Sequence, residues 1–362
     1  MTKKGGAGFE SEDVETARFE GPPSWDAPRT DEEAGLFQAF RPRRVGVGSV
    51  GIQTHPRDAP GTRTGAHSHR GAQVVEAPTM ERLRVATLNV WNKSGPWAER
   101  MTLVREQLAA LELDLLAMQE VLELATPAAT MNQADELKPE GWHRAYAAAH
   151  DMAVWWVPKG QALHFGNALL SRFPIVRETS HPLPGAEVSD QKRCVLHAVV
   201  AAPFGEVDVF VTHLNWKLDE GWIRELQVKE LARLVAEHAP EDGRFPPLVM
   251  GDLNAEPQSD EIRYLGGFTR LGEERSVRFS DAWAYADVGA GAGFTFDASR
   301  NTFAVQYHEA PRRIDYVFVR GPDAKGRGRP MSPRLCFDED RAGVFPSDHF
   351  GVCCDLVVGA AD

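Results

Sequence analysis

Five apolar, strand-like runs in this chain each stop at a cluster of amides, carboxylates or histidines, and this recurrence constrains the fold more than any other feature. The clusters are Thr87-Leu88-Asn89, Gln119-Glu120, Thr212-His213-Leu214-Asn215, Gly251-Asp252-Leu253-Asn254, and Asp315 taken with Asp348-His349. A strand half exposed to water alternates polar and apolar residues along its length. Polar residues gathered at the ends of buried runs instead collect along one edge of a sheet, where they form a mouth. Carboxylate and amide oxygens suit a hard divalent cation, and a histidine beside a carboxylate suits proton transfer near neutral pH. The pattern points to a metal-dependent hydrolase.

The runs are regular from Leu83 onward. Their spacing predicts strands over 84–91, 114–118, 153–157, 168–171, 195–201, 207–212, 247–250, 314–319 and 351–358. Helices are expected from Pro96 to about Leu111 and from Glu220 to about His238, each with its apolar residues on one face. Many strands with few helices fit sheet packed on sheet, with helices outside.

Residues 1–79 differ: they hold eleven glycines and seven prolines and no lasting apolar period. Such a segment buries too little apolar surface to offset its ordering entropy, so it is expected to be largely disordered, with 80–362 forming the catalytic domain.

Net charge of the whole chain is −12, which argues against a general nucleic-acid coat or a polybasic membrane binder. The four cysteines show no CxxC spacing and are expected to be reduced and buried. No signal-type apolar stretch follows Met1, and no run approaches the length of a membrane span. These features suggest a soluble, cytoplasmic, monomeric protein.

Within the clusters, residue chemistry suggests roles. Asp252 and Asn254 lie two apart at a strand end, where i and i+2 face one way; the carboxylate would orient water and the amide would hold a phosphoryl oxygen. Both residues also fit an Asx-turn after Gly251, bonding backbone only. His349 suits a general base, Asp315 suits its orienting partner, and Asp348 is then left to bind metal. Glu120 ends an unbroken apolar run, where a lone buried carboxylate calls for a cation, with Asn89 beside it. His213 would donate to a phosphoryl oxygen or protonate a leaving group, and Asn167 would add an amide to the phosphate pocket. Trp91, Trp216 and Trp222 lie near the motifs, as rim or core. A Rossmann-type nucleotide binder is excluded, because no glycine-rich fingerprint follows the first strand.

Taken together and in this order, Leu88-Asn89, Gln119-Glu120, Thr212-His213-Leu214, Gly251-Asp252-Leu253-Asn254, Arg313-Ile314-Asp315-Tyr316 and Ser347-Asp348-His349 make residues 83–358 resemble the endonuclease/exonuclease/phosphatase superfamily of magnesium-dependent phosphoesterases. The resemblance implies a four-layer α/β sandwich, two packed mixed β-sheets flanked by helices, with the site at one end. It implies Mg2+, with Mn2+ as the alternative, held by Glu120 with Asn89 and Asp348 nearby. It further implies that His349, supported by Asp315, activates water, that Asp252 positions this water or a second metal, and that His213 and Asn254 bind phosphate. One departure stands out: Arg172 occupies the region where some deoxyribonucleases carry an acid that supports the upstream histidine. The superfamily's substrates span DNA, RNA, phospholipid head groups and phosphomonoesters. Acidic charge and aromatic residues near the motifs favour a small or lipid-like phosphoester here; a nuclease is the alternative. A catalytically silent binding module would have lost one of the key residues, and none is lost.

Overall fold

The apolar runs are buried on both faces, which explains why they do not alternate with polar residues. The structure, a computed structural model, describes residues 81–152, 161–239, 244–275, 277–304 and 310–359, all within one unit that spans Glu76–Asp362. The expected disorder of 1–79 and the expected strand at 153–157 lie outside the described residues.

Strands are numbered along the chain. One sheet runs β12 (Pro330–Cys336), β13 (Gly351–Gly359), β1 (Glu81–Asn89), β2 (Leu115–Ala125), β5 (Ala162–Ser171) and β4 (His143–Asp151), with β3 (Thr130–Asn132) hung from β2. The other runs β10 (Ser280–Asp281), β11 (Asp315–Val319), β9 (Leu248–Asp252), β8 (Gly205–His213), β7 (Cys194–Ala202) and β6 (Ile175–Pro182). Both sheets are mixed: β1 with β2 and β8 with β9 are parallel, and their other pairings are antiparallel. The helices are α1 (Trp97–Leu111), α2 (Gln133–Leu137), α3 (Gly221–His238) and α4 (Asp260–Leu265).

Strand periodicity sorts the core into three seams. Leu83, Val85 and Leu115 face Leu196, Val209, Val211, Met250 and Val317 between the sheets. Their neighbours in sequence, Ala86, Leu88 and Leu116, point the other way onto Met101, Val104 and Leu108 of α1. Phe210, Val249, Tyr316 and Phe318 likewise meet Leu231 and Val235 of α3 and Ile262 of α4. The order is helix, sheet, sheet, helix, so the expected four-layer sandwich is present. Each fully buried aliphatic or phenylalanine side chain contributes about 1.5–3 kcal/mol, so these seams dominate the fold's stability. All four cysteines are free and buried. Among the described residues, no helix is long and apolar enough to cross a membrane.

Three local features depart from the sequence reading. β2 does not end at Gln119-Glu120; it bulges there, with a register break between Met118 and Val121, and continues to Ala125. β5 begins at Ala162 rather than at the expected 168, and Gly166 inside it permits close approach of β4, since a Cβ there would lie 2.0 Å from the Ala147 carbonyl oxygen. Alanine-rich β4 and the mostly exposed edge strand β6 carry too little apolar contrast to have been recognised.

Candidate active site

Topology brings the polar clusters to one edge. Parallel pairing sets Asn89 of β1 beside Gln119 of β2, and His213 of β8 beside Asp252 of β9. β11 runs antiparallel, so its first residue, Asp315, faces the last residue of β9, Asp252. β13 is antiparallel to β1, which puts Asp348 and His349, just before its start, at the same end. Across the two sheets, Asn89 Nδ2 donates to Asp252 Oδ2 at 3.0 Å.

The bulge aims Glu120. Its φ is +59°, a left-handed conformation that a mid-strand residue adopts only where the ladder is broken. Glu120 Oε1 accepts from Asn89 Nδ2 (3.2 Å) and Oε2 from Asn92 Nδ2 (3.0 Å). Trp91 and Asn92 are also left-handed, so the turn after β1 is shaped to hold this carboxylate. Asn89 Oδ1 accepts from the Trp91 N–H (3.0 Å), so its side-chain NH2 is left to bridge the carboxylates of Glu120 and Asp252. Beneath them Arg100 of α1 is fully buried, donates to the carbonyls of Val90, Trp91, Ser94 and Pro346, and stacks on Trp91 at 4.7 Å. Burial lowers the Arg100 guanidinium to about 10, against the pull of Asp348 and Glu120.

The second half of the site centres on Asp252. Its Oδ1 accepts the Asn254 backbone N–H at 2.9 Å, and its Oδ2 lies 3.6 Å from His213 Nε2 and 3.8 Å from His349 Nε2. His349 Nδ1 is 2.9 Å from Asp315 Oδ2. Burial and then the charge of Asp315 push Asp252 up to about 6. Burial alone would lower His349, but Asp315, Asp348 and Asp252 outweigh it and lift the imidazole to about 10. His213 goes the other way, well below the usual range, through burial and the charges of Arg193, His349 and His150, so it is neutral at pH 7.

These donors fit a divalent cation. Asp348 is 5% exposed, and burial with the nearby Glu120 charge pushes it up to about 7, as expected for buried carboxylates short of positive charge. Asp315 Oδ1 is buried without a partner. Atoms of Asp252, Asp315 and His349 lie within 4.8 Å of one another. The carboxylate oxygens at this edge, those of Glu120 and Asp348 among them, suit a hard ion.

Some expectations shift in detail. Strand geometry does not align Asp252 with Asn254: β9 ends at Asp252, Asn254 has φ +49°, and an Asx-turn joins the two. Asn254 Nδ2 donates to the Leu214 carbonyl at 3.2 Å. Asn215 is not paired with His213 in the mouth; its amide binds Ser189 and Glu220 and its oxygen accepts from Gln227. Asn167 gives its amide hydrogens to the Cys194 carbonyl and thiol. Arg172 bonds Asp114 at the opposite end of β2, so it lies away from His213. Asn92, Arg100 and Arg193 were not anticipated. Only Asn92, in a turn-like Asn-Lys-Ser-Gly run, carried a local signal.

A model of the endonuclease/exonuclease/phosphatase family matches residues 86–349. Protein cwh43 of Schizosaccharomyces pombe is 35% identical over 121 residues, covering 33% of this chain and 12% of that protein. Nocturnin of Homo sapiens is 25% identical over 276 residues, covering 72% of this chain and 58% of that protein. The matched stretches thus span less than two thirds of these relatives. The structure of D. rerio TDP2 with a single-strand DNA product aligns with a TM-score of 0.55 at 20% identity, over 76% of this chain and 98% of that one. That likeness concerns the fold.

Proposed function

We propose, from the premise that this chain belongs to the endonuclease/exonuclease/phosphatase family, that it hydrolyses phosphoester bonds by in-line attack of a water deprotonated by His349. The observation that carries the reading is the buried His349–Asp315 pair at 2.9 Å, which leaves Nε2 turned toward Asp252. Asp315 fixes the tautomer by accepting from Nδ1–H and stabilises the imidazolium that forms. In the metal-free fold the charges of Asp315, Asp348 and Asp252 hold His349 protonated; a divalent cation on the carboxylates would offset that charge and free Nε2 to accept a proton. Asp252 orients the water whose proton passes to Nε2. The water oxygen bonds to phosphorus as the bond to the leaving oxygen breaks. His213, neutral and with Nδ1 unpartnered, would donate a hydrogen bond there, and Asn254 would offer a phosphoryl oxygen the amide hydrogen that the Leu214 carbonyl does not take. Glu120, positioned by Asn89 and Asn92, and Asp348 would hold Mg2+ or Mn2+. Such an ion supplies Lewis acidity that offsets charge growing on the phosphoryl group.

The substrate we favour is a small or lipid-like phosphoester. Trp216, Leu218 and Trp222 follow His213 and stay 44%, 63% and 52% exposed, an apolar rim on a protein of net charge −12. The second reading, a nuclease, draws on the similar fold solved with a DNA product and on the ability of exposed tryptophans to stack on bases. Turnover of bis-p-nitrophenyl phosphate, p-nitrophenyl phosphate, sphingomyelin and supercoiled plasmid, with magnesium or chelator, separates these readings. We expect magnesium-dependent turnover that falls by roughly 10²–10⁴ in His349→Ala. Metal-independent turnover, or a His349→Ala protein as active as its parent, would overturn the mechanism.

A further inference from the structure

Among the described residues, Arg193 is the one buried arginine the fold does not use. Arg100 donates to backbone carbonyls; Arg224 binds Glu261 and the carbonyls of Asn215 and Lys217; Arg313 pairs with Asp281 at 2.8 Å. Arg193, 4% exposed, has a single side-chain hydrogen bond, from Nη2 to Gln191 Oε1 at 3.1 Å, and its Nε is buried without a partner. Among the described residues it forms no ion pair. A desolvated guanidinium left in this state is costly, and in a folded protein it calls for an explanation.

Its place supplies one. Arg193 immediately precedes β7, and the antiparallel register of Val195 with Thr212 sets this end of β7 beside His213. Glu120 and Asp252 are the two charges acting on it most strongly, and its own charge is felt by His213. The backbone here is pinned at three successive carbonyls: Lys192 O faces His150 Nδ1 (3.3 Å), Arg193 O accepts from Leu183 N (2.8 Å), and Cys194 O accepts from Asn167 and Thr212. Asn167, expected to touch phosphate itself, instead helps fix the strand that carries the arginine.

We propose that Arg193 is an anion anchor of this site: its unspent N–H groups take non-bridging oxygens of the substrate's phosphoryl group and of the phosphate product. A planar guanidinium matches the geometry of a phosphoryl group and binds it with charge-assisted hydrogen bonds. The proposal rests on the hydrolase reading for its ligand, and its test is kept separate from turnover.

Inorganic phosphate is titrated calorimetrically into the full-length magnesium-loaded protein and into Arg193→Gln and Arg193→Lys. Melting temperatures and kcat/KM on bis-p-nitrophenyl phosphate are measured alongside. We expect phosphate to bind at least tenfold more weakly to Arg193→Gln, Arg193→Lys to recover part of that loss, and the melting temperature of Arg193→Gln to equal or exceed that of the parent. Phosphate affinity within twofold of the parent in Arg193→Gln overturns the anchor, as does a parent protein that binds no phosphate. If Arg193→Gln does not fold, Arg193→Lys decides: a tenfold loss of phosphate affinity at unchanged melting temperature supports the anchor, and unchanged affinity overturns it. Arginine-dependent phosphate binding without turnover of any substrate would sink the hydrolase reading and leave the anchor standing.

Discussion

Gly251→Ala tests whether the juxtaposition of His213 and Asp252 depends on the close approach of β8 and β9. Gly251 has φ +152° and sits opposite Thr212 in the parallel pair. A Cβ there would lie 1.9 Å from the Thr212 carbonyl oxygen and 2.9 Å from its carbon, both backbone atoms that no rotamer change can move. Relief requires the strands to part by more than an ångström or the backbone to leave its present conformation. Holding alanine in this glycine-only region costs about 1–3 kcal/mol, and each ladder hydrogen bond lost adds about 1 kcal/mol. A loss of roughly 3–4 kcal/mol is therefore expected, equivalent to about 10 °C in melting temperature for a domain of this size. The same parting moves His213 from Asp252, and a misplacement near 1 Å lowers kcat/KM by about 10²-fold. Urea denaturation followed by tryptophan fluorescence, paired with steady-state kinetics, reads both effects. Gly141→Ala is the control: its φ is +78° but nothing lies within 4 Å of the added Cβ, so it carries backbone strain without the clash. If Gly251→Ala stays within 1 kcal/mol of the parent or of the control, the close-approach argument is wrong.

Glu120→Gln keeps the shape of the bulge but removes the charge, so divalent-metal affinity should fall by at least about tenfold; an unchanged calorimetric titration would remove Glu120 from the ligand set. Asp348→Asn should stabilise the chelator-treated protein. The Asp348 carboxyl is raised from 3.8 to about 7, so the stability of its protonated form is present at low pH and lost as pH climbs toward neutrality. Asparagine cannot ionise, and its advantage over the parent should be on the order of 4 kcal/mol at pH 8 and nearly vanish by pH 4. An Asp348→Asn protein less stable than the parent at pH 8 in chelator would contradict the burial cost assigned to this carboxylate.

Chemistry at strand ends was legible in the sequence because a polar residue closing an apolar run has few structural reasons to be there. Asn89, Glu120, His213, Asp252, Asp315, Asp348 and His349 all fall at one edge for that reason. The strand period was less informative at the termini themselves. Asn254 is expected from an i, i+2 argument, yet it and Asn215 both follow the last residue of their strands. One reaches Asp252 through an Asx-turn, and the other is drawn into the Ser189–Glu220–Gln227 network. The bulge at Glu120 left no sequence signal, since the run through it stays apolar on both sides. Arg100 and Arg193 look like surface charges in sequence, because their burial comes from contacts many residues distant.

The distribution of strain and charge gives the arrangement a thermodynamic reading. Of the left-handed non-glycine residues, Trp91, Asn92, Glu120 and Asn254 cluster at this edge. The raised carboxylates Asp252 and Asp348 and the unpaired Arg193 lie there too. Each feature destabilises the metal- and substrate-free fold, while apolar burial in the three seams holds it together. A cation that satisfies the carboxylates binds the folded state and not the unfolded chain, adding about 2.7 kcal/mol at a hundredfold excess over its dissociation constant. Phosphate on Arg193 would act in the same direction. The seams keep the fold intact while the edge stays poised, so ligand binding at this edge is also folding free energy.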